Sequence, residues 1–182
     1  MKNALILHGT NANSKENWFP WLERELEDKG WRVWTPDLPG ADSPSIPRYN
    51  AFILSKWTFD SDSIIVGHSS GAVAALGLLE EAPDKTVIDR AFLVAGFIGD
   101  LGWDALKELS RYTLDWLKIR KKARKFILIH SDDDPYVPLQ HGESLKEKLD
   151  AELIVLRGQK HFSLEAGPQY KEFPELLEKI LA

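Results

Sequence analysis

Six short runs rich in isoleucine, leucine, valine and phenylalanine punctuate the chain, at 4–7, 32–35, 63–66, 91–95, 126–130 and 153–156, and longer amphipathic stretches separate them. A run of four or five residues with little polar alternation is what a strand covered on both faces requires. The stretches between, 18–29, 72–81, 103–117, 142–149 and 170–181, read as the helices that cover it. Alternation of this kind along the whole chain implies right-handed crossovers and an α/β fold of three layers around a mostly parallel sheet of about six strands. Segment 36–53 begins rich in proline, glycine and serine and then changes character, which predicts a loop leading into a modest helix. With 182 residues and no repeat, low-complexity tract or linker, residues 1–182 read as a single domain.

Composition excludes several classes of function. The chain is 43% hydrophobic and 28% charged, as soluble globular proteins are, and no stretch approaches the roughly 18 apolar residues of a membrane span. Met1 to Gly9 reaches a turn where a secretory signal would still need its apolar region, so it reads as a first strand. The lack of cysteine removes disulfides, a thiol nucleophile and cysteine-based zinc sites, and fits a cytoplasmic location. A net charge of −5 argues against nucleic acid as a partner. The basic run 118–125 reads as a solvated helix end and the loop after it. No signal of oligomeric state is present.

Gly67-His68-Ser69-Ser70-Gly71 directly follows the third apolar run and directly precedes a helical stretch. That is the setting of a nucleophile elbow, in which the serine occupies a strained turn and small residues two before and two after let strand and helix approach. The helix N-terminus there aims free N–H groups at a centre where negative charge develops during acyl transfer. Ser69 is therefore the candidate nucleophile. Ser70 is expected to serve through its N–H, as half of an oxyanion hole. The other half falls in the loop after the first strand, His8-Gly9-Thr10-Asn11, with Thr10 chosen and Asn11 its rival. His8 is expected to orient this loop by hydrogen bonding.

A serine hydroxyl needs a general base, commonly a histidine oriented by a carboxylate. Of the five histidines, only His161 lies in the loop after the last strand and before the last helix. His130, ending a strand, reads as a structural residue, and His141 as opening a helix. The acid belongs in the loop after the preceding strand, where Asp132, Asp133 and Asp134 stand in succession. Their spacing does not suit calcium. Asp134, restricted by the following proline, is the first choice and Asp133 the second. The order Ser69, Asp134, His161 is the one associated with this elbow, and all three fall at carboxyl ends of expected strands, where open α/β sheets build their sites. Neither a metal nor a cofactor is implied.

Trp31, Trp34 and Trp57 read as core. Trp18 and Trp21, near the oxyanion loop, and Phe97, Trp103, Tyr136 and Phe162, near strand ends, are the candidate substrate-binding residues.

His8-Gly9 after the first strand, the Gly67–Gly71 motif, Asp134-Pro135-Tyr136-Val137-Pro138 and Gly158-Gln159-Lys160-His161-Phe162 together resemble the α/β-hydrolase superfamily. More narrowly, Ile6-Leu7-His8-Gly9-Thr10, Trp18-Phe19-Pro20-Trp21-Leu22 and Pro36-Asp37-Leu38-Pro39 are similar to the small serine hydrolases of the retinoblastoma-binding protein nine and YdeN type. The resemblance implies a compact hydrolase fold without a large cap domain and without the two leading antiparallel strands of the full superfamily. It also implies a Ser-His-Asp triad with esterase-like or peptidase-like activity. Lacking cysteine, the chain cannot contain a Leu-x-Cys-x-Glu motif, so binding of retinoblastoma protein is not expected. The leading expectation is a hydrolase of carboxyl esters or related small-molecule acyl substrates. The alternatives are an amidase or peptidase, and a binding protein on a hydrolase scaffold.

Overall fold

In the computed structural model, which describes residues 1–182, the six apolar runs are strands: β1 (Asn3–Leu7), β2 (Arg32–Trp34), β3 (Ser63–His68), β4 (Ile88–Val94), β5 (Ala123–Ser131) and β6 (Glu152–Leu156). All pair in parallel, in the order β2-β1-β3-β4-β5-β6. The helices are α1 (Phe19–Glu27), α2 (Ile46–Leu54), α3 (Ser70–Glu81), α4 (Lys107–Arg111), α5 (Trp116–Arg120), α6 (Leu139–Leu149) and α7 (Pro174–Leu181). No helix is long and apolar enough to cross a membrane.

Alternate residues along each strand serve opposite layers. Leu5, Leu7, Ile65, Leu93 and Leu128 pack with residues of α2, α3 and α6. Ala4, Ile6, Val66, Phe92 and Ile129 pack with α1 and α7. Burial of each such leucine or isoleucine side chain stabilises by about 1.5–3 kcal/mol, which explains why runs that look uniformly apolar in sequence form the centre of this fold. Sheet order turns back between β1 and β3, and the crevice at their carboxyl ends is the topological switch point where ligands bind in open α/β sheets.

Three expectations are corrected. The stretch 103–117 is not one helix but a 3-10 turn at Asp104–Leu106, then α4, an extended break and α5. Tyr112 is extended, and Asp115 starts a new helix by accepting the Lys118 N–H at 3.0 Å while donating its own N–H to Glu80. The final helix begins at Pro174 after a separate 3-10 turn, Pro168–Lys171. The basic run does end a helix, α5, but almost no loop follows: Ala123 already belongs to β5, and buried Lys122 donates its ammonium protons to the Ala82 and Pro83 carbonyls at 2.7 and 2.8 Å.

His130 is a fully buried residue of β5, and neither ring nitrogen has a hydrogen-bond partner. Burial pushes its pKa down to about 4, and that of buried His68 down to about 3. The unfolded chain therefore binds these protons more readily than the native state. Stability must fall as pH drops below 6.5, the loss due to His130 levelling off below about 4. Urea midpoints measured across that interval should decline with pH, and His130→Leu should flatten the decline. A wild-type midpoint that held constant through the interval would contradict this assignment.

Candidate active site

Ser69 stands between β3 and α3 with φ 56° and ψ −123°, a conformation that L-residues rarely adopt. Its N–H is bonded to the Val94 carbonyl at 2.8 Å, which fixes the turn to the neighbouring strand. The glycines on either side are required by contact. A Cβ on Gly67 would lie 2.5 Å from the Gly71 carbonyl oxygen, and one on Gly71 would lie 2.5 Å from that of His8 and closer still to that of Leu7. Since backbone atoms cannot rotate away as side chains can, both positions admit only hydrogen.

The loop after β1 lies against this elbow. The Thr10 hydroxyl donates to that of Ser70 at 2.8 Å. The Asn11 N–H is occupied by the Ala41 carbonyl at 2.9 Å, whereas the N–H groups of Thr10 and Ser70 take no partner. His8 orients the loop as expected: Nδ1–H donates to the Gly9 carbonyl and Nε2 accepts the Leu38 N–H, both at 2.9 Å. One neutral tautomer satisfies both bonds, and burial lowers the His8 pKa accordingly.

The three aspartates have three different partners. Asp132 accepts the Gly158 N–H at 2.8 Å. Asp133 accepts the Lys160 N–H at 2.8 Å, and its second oxygen pairs with the Lys160 ammonium at 2.7 Å. These bonds to Lys160, with that from the Ser131 hydroxyl, push the Asp133 pKa down to about 2. Asp134 accepts the His161 Nδ1–H at 2.8 Å, and its other oxygen takes the N–H groups of Tyr136 and Val137. Because a carboxylate only accepts, Nδ1 carries the proton and Nε2 is left as the acceptor.

Ser69 and His161 line one cavity of about 360 Å³. No hydrogen bond joins the Ser69 hydroxyl to the imidazole in this structure. Trp103 and Tyr136 line the same cavity. The other aromatic candidates do not. Trp18 is fully buried, its indole N–H donating to the Phe162 carbonyl at 3.0 Å and its ring edge-on to Phe19, His68 and Phe173. Phe162, at φ 52°, turns inward and stacks on Phe173. Phe97 packs with Ile46, Val73 and Val137 and borders a separate cavity. Trp21 leans on the core instead of the cavity. Of the tryptophans read as core, Trp31 and Trp57 are buried, while Trp34 is half-buried and stacked on Trp57.

Sequence reasoning missed His68 as a support. Its Nε2–H donates to the His161 carbonyl at 2.8 Å, a bond between residues far apart in the chain that no local pattern announces. Glu16, Asn17 and Glu165 also line the cavity unforeseen.

A serine on a strained turn, a carboxylate-held histidine and two free N–H groups thus meet at the switch point. The chain belongs to the serine hydrolase family, whose model matches residues 4–181. Among its relatives, YdeN of Bacillus subtilis, named as a hydrolase, is 29% identical over 168 residues, covering 91% of this chain and 88% of that protein. Serine hydrolase RBBP9 of Rattus norvegicus is 28% identical over 183 residues, covering 97% and 92%. The crystal structure of the Bacillus subtilis ydeN product superposes with a TM-score of 0.92 at 27% identity, covering 100% and 97%. Est1E of Butyrivibrio proteoclasticus, solved with ferulic acid bound, has a TM-score of 0.73 at 17% identity, covering 100% and 90%, which establishes the common fold.

The packing at the elbow makes a stability prediction. Gly71→Ala should lower the unfolding free energy by about 2 kcal/mol or more, since the contacted carbonyls belong to the backbone of β1 and the turn after it. Gly30→Ala, where no atom lies within 4 Å of the added carbon, should cost only the strain of its positive φ. Equal urea midpoints for the two variants would refute the close-approach account.

Proposed function

We propose that this protein hydrolyses carboxyl esters or related small acyl substrates through an acyl-enzyme. The observation that supports it most is the His161 Nδ1–Asp134 bond beside a cavity that also holds Ser69 on its strained turn. Ser69 Oγ attacks the carbonyl carbon while His161 Nε2 takes its proton. Asp134 holds the tautomer and stabilises the imidazolium that forms. The N–H groups of Thr10 and Ser70 receive the oxyanion. Occupation of the Asn11 N–H by Ala41 favours Thr10 over its neighbour for that role. His161 then returns the proton to the leaving alcohol, and water, activated by the same imidazole, releases the acid. Bonds between nucleophile and base are often long in unliganded enzymes and tighten with substrate present, which accommodates the open Ser69–His161 contact. No metal or cofactor takes part in this chemistry, and the absence of cysteine suits the cytoplasm, which we propose as the compartment.

A fluorophosphonate probe should label the wild type and not Ser69→Ala. A folded wild type that resists labelling would support the non-catalytic scaffold instead. Matched ester and amide substrates decide between esterase and amidase. Ser69→Ala and His161→Ala should each abolish most activity, and the double variant should lose little more, because nucleophile and base act as a unit. Asp134→Asn should lower kcat by roughly three to four orders of magnitude. Asp133→Asn should be intermediate, through the Lys160 tether, and Asp132→Asn mild. If Asp133→Asn were the crippled variant and Asp134→Asn near wild type, the acid assignment would be wrong. Chelators should leave the rate unchanged.

A further inference from the structure

Apart from its histidines, the cavity around Ser69 is lined by two ionisable side chains of like sign, Glu16 and Glu165, together with Tyr136; no lysine or arginine lines it. Neither carboxylate is in a salt bridge. The lysines adjoining lining residues are engaged or turned away. Lys160 is held by Asp133, Lys107 by Asp104, and exposed Lys15 does not line the cavity. His68 adds no positive charge, since burial holds its pKa at about 3.

The aromatic groups stand where such a charge imbalance can be used. Trp103 and Tyr136 meet edge-on, with ring centroids 5.3 Å apart at 82°, and form a two-walled corner. The Tyr136 ring in turn lies 5.1 Å from the His161 ring at 89°, so the corner adjoins the reacting centre. The Tyr136 hydroxyl donates to Glu165 Oε2 at 2.7 Å, leaving Oε1 without a partner. Trp103 is 44% exposed, an open wall instead of a packed one. An aromatic face next to an unneutralised carboxylate attracts an organic cation both through the ring quadrupole and through charge, and repels an anion.

We propose that the site selects substrates bearing an alkylammonium group near the scissile bond, received by Trp103, Tyr136 and Glu165, with Glu16 adding to the field. This rests on the serine hydrolase reading above and narrows it. Selection follows from what lines the cavity: a negatively charged acyl or alcohol group would meet two carboxylates with no lysine or arginine to offset them.

The test uses pairs matched in shape and differing in charge. Acetylcholine should have a kcat/KM about tenfold above that of 3,3-dimethylbutyl acetate at low ionic strength, with the preference shrinking toward parity in concentrated salt. A second pair avoids dependence on acyl length: phenyltrimethylammonium should inhibit p-nitrophenyl acetate hydrolysis about tenfold more tightly than tert-butylbenzene. Glu165→Gln and Trp103→Ala should each reduce both preferences several-fold. Equal behaviour within the pairs, or preferences that both variants leave intact, would overturn the proposal while p-nitrophenyl acetate turnover left the hydrolase reading standing. Absence of turnover together with absence of fluorophosphonate labelling would instead overturn that reading, and this one with it.

Discussion

Everything at the carboxyl edge of the sheet depends on how closely α3 can come to the end of β1. The helix starts so near the Leu7 and His8 carbonyls that Gly71 has no room for a side chain. That proximity lets the Thr10 hydroxyl reach Ser70 and places two unused N–H groups beside the Ser69 turn. The strain at Ser69 is held by strand pairing on both sides of it, through Leu7 opposite Gly67 and the Val94 carbonyl. A loop alone would relax such a conformation.

The histidine loop depends on a different kind of support. Its backbone is fastened from beneath by buried groups: Trp18 to Phe162, His68 to His161, and the Tyr170 hydroxyl to Gln159 at 2.7 Å. Asn17 receives the Leu164 N–H at 2.8 Å. Five of the seven non-glycine residues with positive φ, namely Asn11, Asn17, Ser69, Lys160 and Phe162, line the cavity or flank His161. Left-handed backbone is thus concentrated around the cavity and His161.

This division explains what could be read in advance. The strands were legible because each must be covered on both faces, and that demand leaves an apolar run whatever the partner helices are. Ser69 and His161 could be singled out because a strand-turn-helix with flanking glycines and the loop after the last strand are local patterns. Asp134 was preferred to Asp133 only on the proline that follows it, because the partners that distinguish the two, His161 and Lys160, lie in a distant loop. Trp18 and Phe162 were misplaced for a related reason. Proximity along the chain does not tell which way a side chain turns, and at Phe162 a left-handed backbone reverses the direction that ordinary geometry would suggest. His68 was overlooked because its bond spans two distant loops. The helical stretch 103–117 was misjudged because apolar spacing does not register the break at Tyr112 and the cap at Asp115.

The succession Asp132, Asp133, Asp134 has a consequence for how this family member can change. A loop pinned at one point can slip along its partner, but one pinned at Gly158, Lys160 and His161 together is indexed, like a key with three cuts. A residue inserted within either paired segment would shift the bonds beyond it out of register. Nor is there a spare. Asp133 stands next in line, yet its charge is already committed to Lys160, and adjacency offers the chain no redundancy.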